Sequence, residues 1–444
     1  MIYNKTYFMI GIGGIGMSAI ALHLIENGAS VWGYDKVKSP ITLMLSDVGV
    51  YIIYEPIIKA LPEEVKQKNV EIIYTAAILK RNPLWQFFDL QGNKMYKRAA
   101  FLGKICSNKK TFAIAGTHGK TTTAAILTHL FTTDNRAFTA FVGGIVKEYN
   151  SNYISTGIDF YVVEADEYDR SFLQLFPTHA AITTMDADHM EIYDSLEGIE
   201  KGFTAFAKQV KNTLLVSYGL PLSNLTYGFE VNASYNIPSF KPYNEGYLFD
   251  VVTPEGEEKA LYFNQIGKHN LANALCAISL AHLEGVSFES IRKGLASFPG
   301  IERRMNQYQL DDLLLIDDYA HHPVELKAVL KTIKSTYPKR KNGIVFQPHL
   351  FSRTRDFMSD FANVLSEFDE VILLDIYPAR ELPIEGVTSA NLLNLISNPN
   401  KKRVKKADLF SAIEESKTDL LVMAGAGDIG LEIQKFLMQL NPES

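Results

Sequence analysis

Short, continuous apolar runs punctuate this chain, and nearly every one ends in glycine, an acid, histidine or threonine. In the first half these are Lys5 to Ile10, Ser30 to Tyr34, Val70 to Tyr74, Phe112 to Ala115, Asp159 to Val163 and Ala180 to Thr184. In the second half they are Leu313 to Ile316, Gly343 to Gln347, Val371 to Leu374 and Leu420 to Ala424. Runs that are apolar on both faces suit strands of a parallel sheet covered by helices, whereas a half-exposed strand alternates. Helical stretches separate them: Met17 to Glu26, Ala99 to Ile105, Thr121 to Phe131 and Leu271 to Leu283. The alternation predicts an α/β fold of doubly wound units. Residues 212–264 depart from this rhythm, with short alternating runs, many tyrosines and a turn at Pro254-Glu255-Gly256. They predict added antiparallel β. The polar stretch Ser107 to Lys110 and the hinge-like Phe298 to Arg304 mark boundaries, so three domains are expected over residues 1–107, 108–298 and 299–444.

The strand ends carry the candidate chemistry. Phe112 to Ala115 runs into Gly116-Thr117-His118-Gly119-Lys120-Thr121-Thr122 and then a helix. Glycines there let backbone N–H groups converge on phosphate, a lysine reaches the terminal phosphates, and a threonine hydroxyl can ligate Mg²⁺. The spacing is shorter than in the usual P-loop, since Ile114 stands five residues before Gly119. ATP is the expected ligand. Lys5 to Ile10 runs into Gly11-Ile12-Gly13-Gly14-Ile15-Gly16, with Ser18 on the following helix and Asp35 after the next strand. That is a nucleotide-binding βαβ pattern, with a plain packing turn as its alternative. Thr75 ends another strand, and Lys97 and Arg98 open a helix where they can meet phosphate or solvent.

Among the four acids from Glu164 to Asp169, Glu164 comes first after an apolar strand and is the expected metal ligand. His189, beside Asp188 at the next strand end, is a candidate metal or phosphate ligand. His269 and Asn270 begin a helix, with Asn273 one turn on, where amides read an adenine edge or act as caps. Arg303 and Arg304 can reach phosphate. A polar edge is expected from Asp317, Asp318, Tyr319, His321, His349, Arg353 and Gly425 to Gly430. The run Lys401 to Lys406 is expected to be a solvated loop.

Composition narrows the classes. The 444 residues are 47% apolar and 21% charged, as in an ordinary globular protein. A net charge of −6 offers no basic field for nucleic acid. Two cysteines, both in apolar helical patterns, make no disulfide framework. No apolar run approaches a membrane span and the N-terminus lacks a signal-peptide layout, so no membrane insertion and a cytoplasmic location are expected.

Gly11 to Ser18, Gly116 to Thr123, Glu164-Ala-Asp-Glu167, Asp188-His189, His269-Asn270, Arg303-Arg304, Asp317 to Pro323, Phe346 to His349 and Gly425 to Ile429 together resemble the Mur ligases. These are the amino-acid-adding enzymes of peptidoglycan synthesis, and the motifs run in the family's order over nearly the whole chain. The motifs come nearest the branch that adds L-alanine to UDP-N-acetylmuramate. The resemblance implies a Rossmann-like UDP-sugar domain over 1–107, a P-loop-type ATP domain over 108–298 and an amino-acid domain over 299–444. Gly11, Ile12, Gly13, Gly14, Ile15, Gly16, Ser18, Asp35, Thr75, Arg98 and His118 would then bind the UDP-sugar. Gly116 to Thr122, His269, Asn270, Asn273, Arg304 and Asp318 would bind ATP, with Thr121, Glu164 and His189 on Mg²⁺. Tyr319, His321, His349 and Arg353 would surround the amino acid. Lys120, Glu164, His189, Arg304 and His349 would carry catalysis in a monomer or homodimer.

The chain departs from the family pattern at Tyr168, Thr184 and Leu350, and Thr204 stands where some relatives carry a carbamylated lysine. Three rival readings stay open. One is the sister ligase that attaches a preformed tripeptide to the same sugar nucleotide. Another is a dinucleotide-dependent oxidoreductase, against which Lys120 argues. The third is a non-catalytic nucleotide-binding regulator that keeps the loops but releases no ADP.

Overall fold

The computed structural model describes residues 4–186, 193, 195–222, 224–379 and 381–440. By its contacts the chain forms two units, one of residues 1–243, 247–264 and 272–299, the other of residues 244–246, 265–271 and 300–444.

The first unit holds two sheets. The N-terminal sheet comprises β1 (Thr6–Ile10), β2 (Ser30–Tyr34), β3 (Tyr51–Ile53), β4 (Glu71–Tyr74) and β5 (Met95–Lys97), all parallel in the order β3-β2-β1-β4-β5. Helices α1 (Ile15–Glu26), α2 (Pro40–Asp47), α3 (Pro83–Gln91) and α4 (Arg98–Cys106) connect or follow these strands. Proline at the first turn and side-chain caps from Ser39 and Asn82 start α2 and α3 where their orphan amides need partners.

The second sheet begins with β6 (Lys110–Ala115), β7 (Phe138–Val146), β8 (Ser151–Ser155), β9 (Phe160–Glu164) and β10 (His179–Ile182). It continues through β11 (Thr213–Ser217), β12 (Leu225–Gly228), β13 (Tyr235–Asn236), β14 (Phe240–Tyr243), β15 (Gly246–Thr253) and β16 (Gly256–Phe263). The order β10-β6-β9-β7-β8 brings the carboxyl ends of β10, β6 and β9 side by side. Around it lie α5 (Lys120–Thr133), α6 (Leu196–Ala207), α7 (Lys268–Leu283) and α8 (Phe288–Ser297). One buried cluster joins both sheets, with Tyr7, Ile20, Leu24 and Phe101 from the first and Ala113, Phe141, Tyr161 and Phe172 from the second. That shared core explains why the expected boundary at residue 107 separates sheets but not compact units.

The antiparallel expectation for residues 212–264 holds for the later strands, where β15 pairs antiparallel with β13 and β16. It is corrected for the earlier ones, because β11 joins β10, β12 joins β11 and β13 joins β12 in parallel. Leu214, Leu215 and Val216 are all buried, the signature of a strand covered on both faces.

The second unit carries β17 (Asn306–Leu310), β18 (Leu313–Asp318), β19 (Asn342–Phe346), β20 (Glu370–Leu373), β21 (Lys401–Arg403) and β22 (Leu420–Ala424), in the order β17-β18-β22-β19-β20-β21. Its helices are α9 (Pro323–Thr336), α10 (Phe351–Asp356), α11 (Met358–Leu365), α12 (Ser389–Leu395), α13 (Leu409–Glu414) and α14 (Ile429–Leu440). β18 runs two residues further than its apolar run, so Asp317 and Asp318 lie within the strand. The basic run is corrected as well, because Lys401–Arg403 is an edge strand beside β20. Lysines there blunt the sheet edge, and the Lys401 ammonium donates to the carbonyls of Leu393 and Ile396 at the end of α12.

Candidate active site

Three neighbouring strand ends shape the glycine loop after β6. Gly116 has φ +130, and a Cβ there would come within 2.1 Å of the Thr183 hydroxyl on the β10 side. Gly119, at φ +84, starts α5, and a Cβ on it would lie 2.4 Å from Asn273 Oδ1. The Thr184 carbonyl accepts from the Thr117 amide at 3.1 Å, and its hydroxyl accepts from the His118 amide at 2.8 Å. The Thr117 hydroxyl meets that of Thr184 at 2.7 Å. His118 Nε2 lies 3.8 Å from Asp186 Oδ2. Thr122, the third residue of α5, is buried. The loop is therefore held open by its neighbours, with its amides gathered at a helix start, an arrangement suited to phosphate.

Lys120 and Thr121 face the acids that end β9. The Lys120 ammonium sits 2.6 Å from the Gly116 carbonyl and 2.8 and 3.0 Å from the two Glu167 carboxylate oxygens. Burial opposes its charge, yet the carboxylates of Glu167, Asp166 and Glu164 outweigh burial and raise its pKa. The Thr121 hydroxyl lies 3.0 Å from each Glu164 oxygen. Gly143, inside the irregular stretch of β7, makes room for that carboxylate, since a Cβ there would stand 2.1 Å from Glu164 Oε2.

A hydroxyl and a carboxylate beside a phosphate loop suit Mg²⁺, which keeps waters and phosphate oxygens as ligands and seldom occupies an all-protein cage. Among the described residues no group of three or more His, Cys, Asp or Glu is arranged to hold a metal. His189 and Asp188 lie outside the described residues.

In the N-terminal sheet, the amides of Gly11 and Ile12 donate to the Tyr34 carbonyl at 2.7 and 3.1 Å. Asp35, expected at a ribose or base, accepts from the Gly13 amide at 2.8 Å and the Val37 amide at 3.0 Å. It shapes the loop from behind. Gly11 is in the left-handed region, and Thr75 Cγ2 would lie 2.5 Å from any Cβ there. Gly14 precedes α1, and Ile15 and Gly16 open it. The Ser18 hydroxyl is buried and donates to the Ile15 carbonyl at 2.9 Å. Arg98 lies against Gly16, with Nη1 3.0 Å from where a Cβ would stand, and its Nη2 is 3.4 Å from Asp166 Oδ2. Lys97 pairs with Asp169 at 2.9 Å. Asp169 and Arg170 both hold left-handed backbone, a strain that persists where surroundings fix it.

In the second unit the adjacent carboxyl ends of β18, β22 and β19 gather polar groups. Arg303 grips Asp317 at 3.3 Å and the carbonyls of Gly425 and Gly427 at 2.5 and 3.2 Å. The guanidinium groups of Arg303 and Arg304 lie 5.3 and 5.2 Å from the centre of the Tyr319 ring. Asp318 is buried and accepts from the amides of Met305 and Ala320, both at 2.8 Å. Burial pushes its pKa up despite Arg304. Tyr319, His321, His349 and Tyr377 form a row of rings with successive centroids 5.3, 5.8 and 5.8 Å apart.

His269 is half-buried, and desolvation first and Arg304 second lower its pKa to about 4. The Asn270 amide nitrogen donates to the Ile266 carbonyl at 2.8 Å. Arg353 is buried on α10, three residues after Leu350, which has a positive φ.

The structure thus brings together Lys120, Thr121, Glu164 and the loop glycines in one unit, and Arg304, Asp318, Tyr319, His321 and His349 in the other. Glu167 appeared in the sequence as one of four acids and as the end of the Glu164-Ala-Asp-Glu167 motif, with no role of its own. Gly143, Asn152 and Tyr377 carried no signal beyond a Gly-Gly pair and an aromatic near a strand end.

Three family models match the chain in series. They are the Mur ligase family catalytic domain over residues 6–110, the Mur ligase middle domain over 114–281, and the Mur ligase glutamate ligase domain over 303–431. A UDP-N-acetylmuramate–L-alanine ligase of Christiangramia forsetii is 46% identical over 97% of this chain and 96% of its own. One of Flavobacterium psychrophilum is 47% identical over 96% of each. The crystal structure of a UDP-N-acetylmuramate-alanine ligase from Thermotoga maritima has a TM-score of 0.84 at 25% identity, covering 99% of this chain and 100% of that one. A murein peptide ligase from Psychrobacter arcticus, 19% identical with a TM-score of 0.74 over 99% of each chain, shares the fold.

Proposed function

The chain belongs to the Mur ligase family, and we propose from that premise that it joins L-alanine to the lactyl carboxylate of UDP-N-acetylmuramate, with ATP converted to ADP and phosphate. A carboxylate is a poor acyl donor and repels the phosphates it must attack. The site's task is therefore to offset anion repulsion and hold the partners in line. In the proposed reaction the lactyl carboxylate attacks the γ-phosphate, ADP leaves, and an acyl phosphate remains. The alanine amine then attacks the acyl carbon, and phosphate departs with the bridging oxygen.

The observation that carries this chemistry is the Thr121 hydroxyl held 3.0 Å from both Glu164 oxygens, with Lys120 the next residue on α5. Thr121 and Glu164 would hold Mg²⁺, with His189 as a further ligand; that ion would supply charge neutralisation on the phosphates. The loop from Gly116 to Thr122 binds the polyphosphate through its amides, and Lys120 the terminal phosphates. His269, Asn270 and Asn273 are assigned to adenine, Asp318 to the ribose and Arg304 to the γ-phosphate. Gly11 to Gly16, with Thr75, Arg98 and His118, are assigned to the UDP-sugar. Tyr319, His321, His349 and Arg353 are assigned to alanine.

Among the described residues no helix is long and apolar enough to cross a membrane, and we place the reaction in the cytoplasm, in a monomer or homodimer. Labelling the lactyl carboxylate with ¹⁸O tests the route. One labelled oxygen must appear in the released phosphate; label confined to the amide product removes the acyl phosphate from the scheme.

A further inference from the structure

Asn152 belongs to β8 of the central sheet, yet its side chain ends in the first turn of α1. It is wholly buried. Its amide nitrogen donates to the Ile15 carbonyl and to the Ser18 hydroxyl, the latter at 3.1 Å. A carbonyl oxygen only accepts, so the NH₂ of Asn152 must face Ile15, and chemistry fixes the orientation of the amide. The Ser18 hydroxyl is then engaged twice, giving its proton to Ile15 and accepting from Asn152. That leaves phosphate contact to the first-turn amides of α1, which have no carbonyl one turn behind them. Meanwhile Asn152 Oδ1 is buried without a hydrogen-bond partner among the described residues. An unpaired buried acceptor is costly and calls for an explanation, and functional sites are where such costs persist.

We propose that Asn152 is a positioning residue for the sugar nucleotide. From the central sheet it locks the first turn of α1 so that the amides of Ile15 and Gly16 face the diphosphate. The inference rests on the assignment of Gly11 to Gly16 to the UDP-sugar. Its location gives it reach, because β8 pairs with β7, and β7 carries the Gly143 that accommodates Glu164. One pair of strands thus reaches the first turn of α1 and the acid that faces Thr121. A mere tie between sheets would loosen every substrate alike, whereas a positioning residue acts on one.

The experiment is calorimetry with UDP-N-acetylmuramate, beside steady-state kinetics, on the full chain and its Asn152→Ala and Asn152→Asp variants. Asn152→Ala weakens sugar-nucleotide binding on the order of tenfold, while KM for ATP and for alanine stays within about twofold. Asn152→Asp weakens it further, since its carboxylate faces the Ile15 carbonyl and adds negative charge beside the diphosphate. Unchanged sugar-nucleotide binding in Asn152→Ala, or an equal rise in the KM of ATP, overturns the proposal. Should neither variant fold, Ser18→Ala removes the middle of the same network, and a Kd shift of about threefold is required of it. A wild-type chain that does not bind UDP-N-acetylmuramate would instead overturn the loop assignment itself.

Discussion

The Lys120 ammonium is folded back onto Glu167, 2.8 Å from one carboxylate oxygen, in a pair of which Glu167 is only 2% exposed. On the proposed assignment of Lys120 to the terminal phosphate, Glu167 is the countercharge that the phosphate would replace. The pair also joins the phosphate loop to the acidic turn after β9. Removing one partner of such a pair strands the other charge, at a cost of about 3–5 kcal/mol. Lys120→Met therefore loses stability of that order in urea titrations, and Lys120→Met combined with Glu167→Gln recovers most of it. Equal losses in the single and double variants would show that the two charges are not coupled.

Gly143 makes a second prediction. A methyl group there would meet the Glu164 carboxylate at 2.1 Å, so Gly143→Ala must displace the acid from Thr121. Misplacement of a catalytic group by about an ångström costs on the order of a hundredfold in kcat. The fold, followed by circular dichroism, stays intact. Full activity would mean that Glu164 does not need this position.

Stability should depend on pH through His269. The unfolded chain binds a proton there below about 6.5, and the folded chain resists it down to about 4, because burial and Arg304 disfavour the charge. The contribution of neutral His269 is thus complete above pH 6.5 and declines as pH falls toward 4, by roughly 3 kcal/mol. In urea midpoints measured at pH 7 and 4.5, His269→Gln flattens that decline. An unchanged slope would place the titration elsewhere.

Tyr377 packs its ring on His349, with centroids 5.8 Å apart, at the end of the row assigned to alanine. Tyr377→Ala removes that support and raises KM for L-alanine on the order of tenfold, with KM for ATP unchanged. Equal shifts in both constants would make Tyr377 a general packing residue.

The two strand–glycine turn–helix units were legible because their signals are local. An apolar run, a glycine turn and a helix lie within a dozen residues, and β6, the loop and α5 follow one another as that order demands. Glu167, Asn152 and Tyr377 escaped for the opposite reason. Each acts on a residue distant in sequence, and which strand ends become neighbours is set by the order β10-β6-β9-β7-β8, which no short pattern encodes. For Asp35 the sequence shows only its place near the loop, without saying that its carboxylate accepts from the Gly13 amide. β11 was read as antiparallel because tyrosines and turns around it outweighed three apolar residues that a parallel strand also requires.

The central claim is that this chain activates a sugar-nucleotide carboxylate with ATP and transfers it to L-alanine. ADP release measured with UDP-N-acetylmuramate, ATP and Mg²⁺ across a panel of acceptors tests it most directly. The account predicts turnover with L-alanine, none without the sugar nucleotide, and none in Lys120→Ala. Turnover with the L-Ala-D-Glu-diaminopimelate tripeptide and not with L-alanine would contradict it.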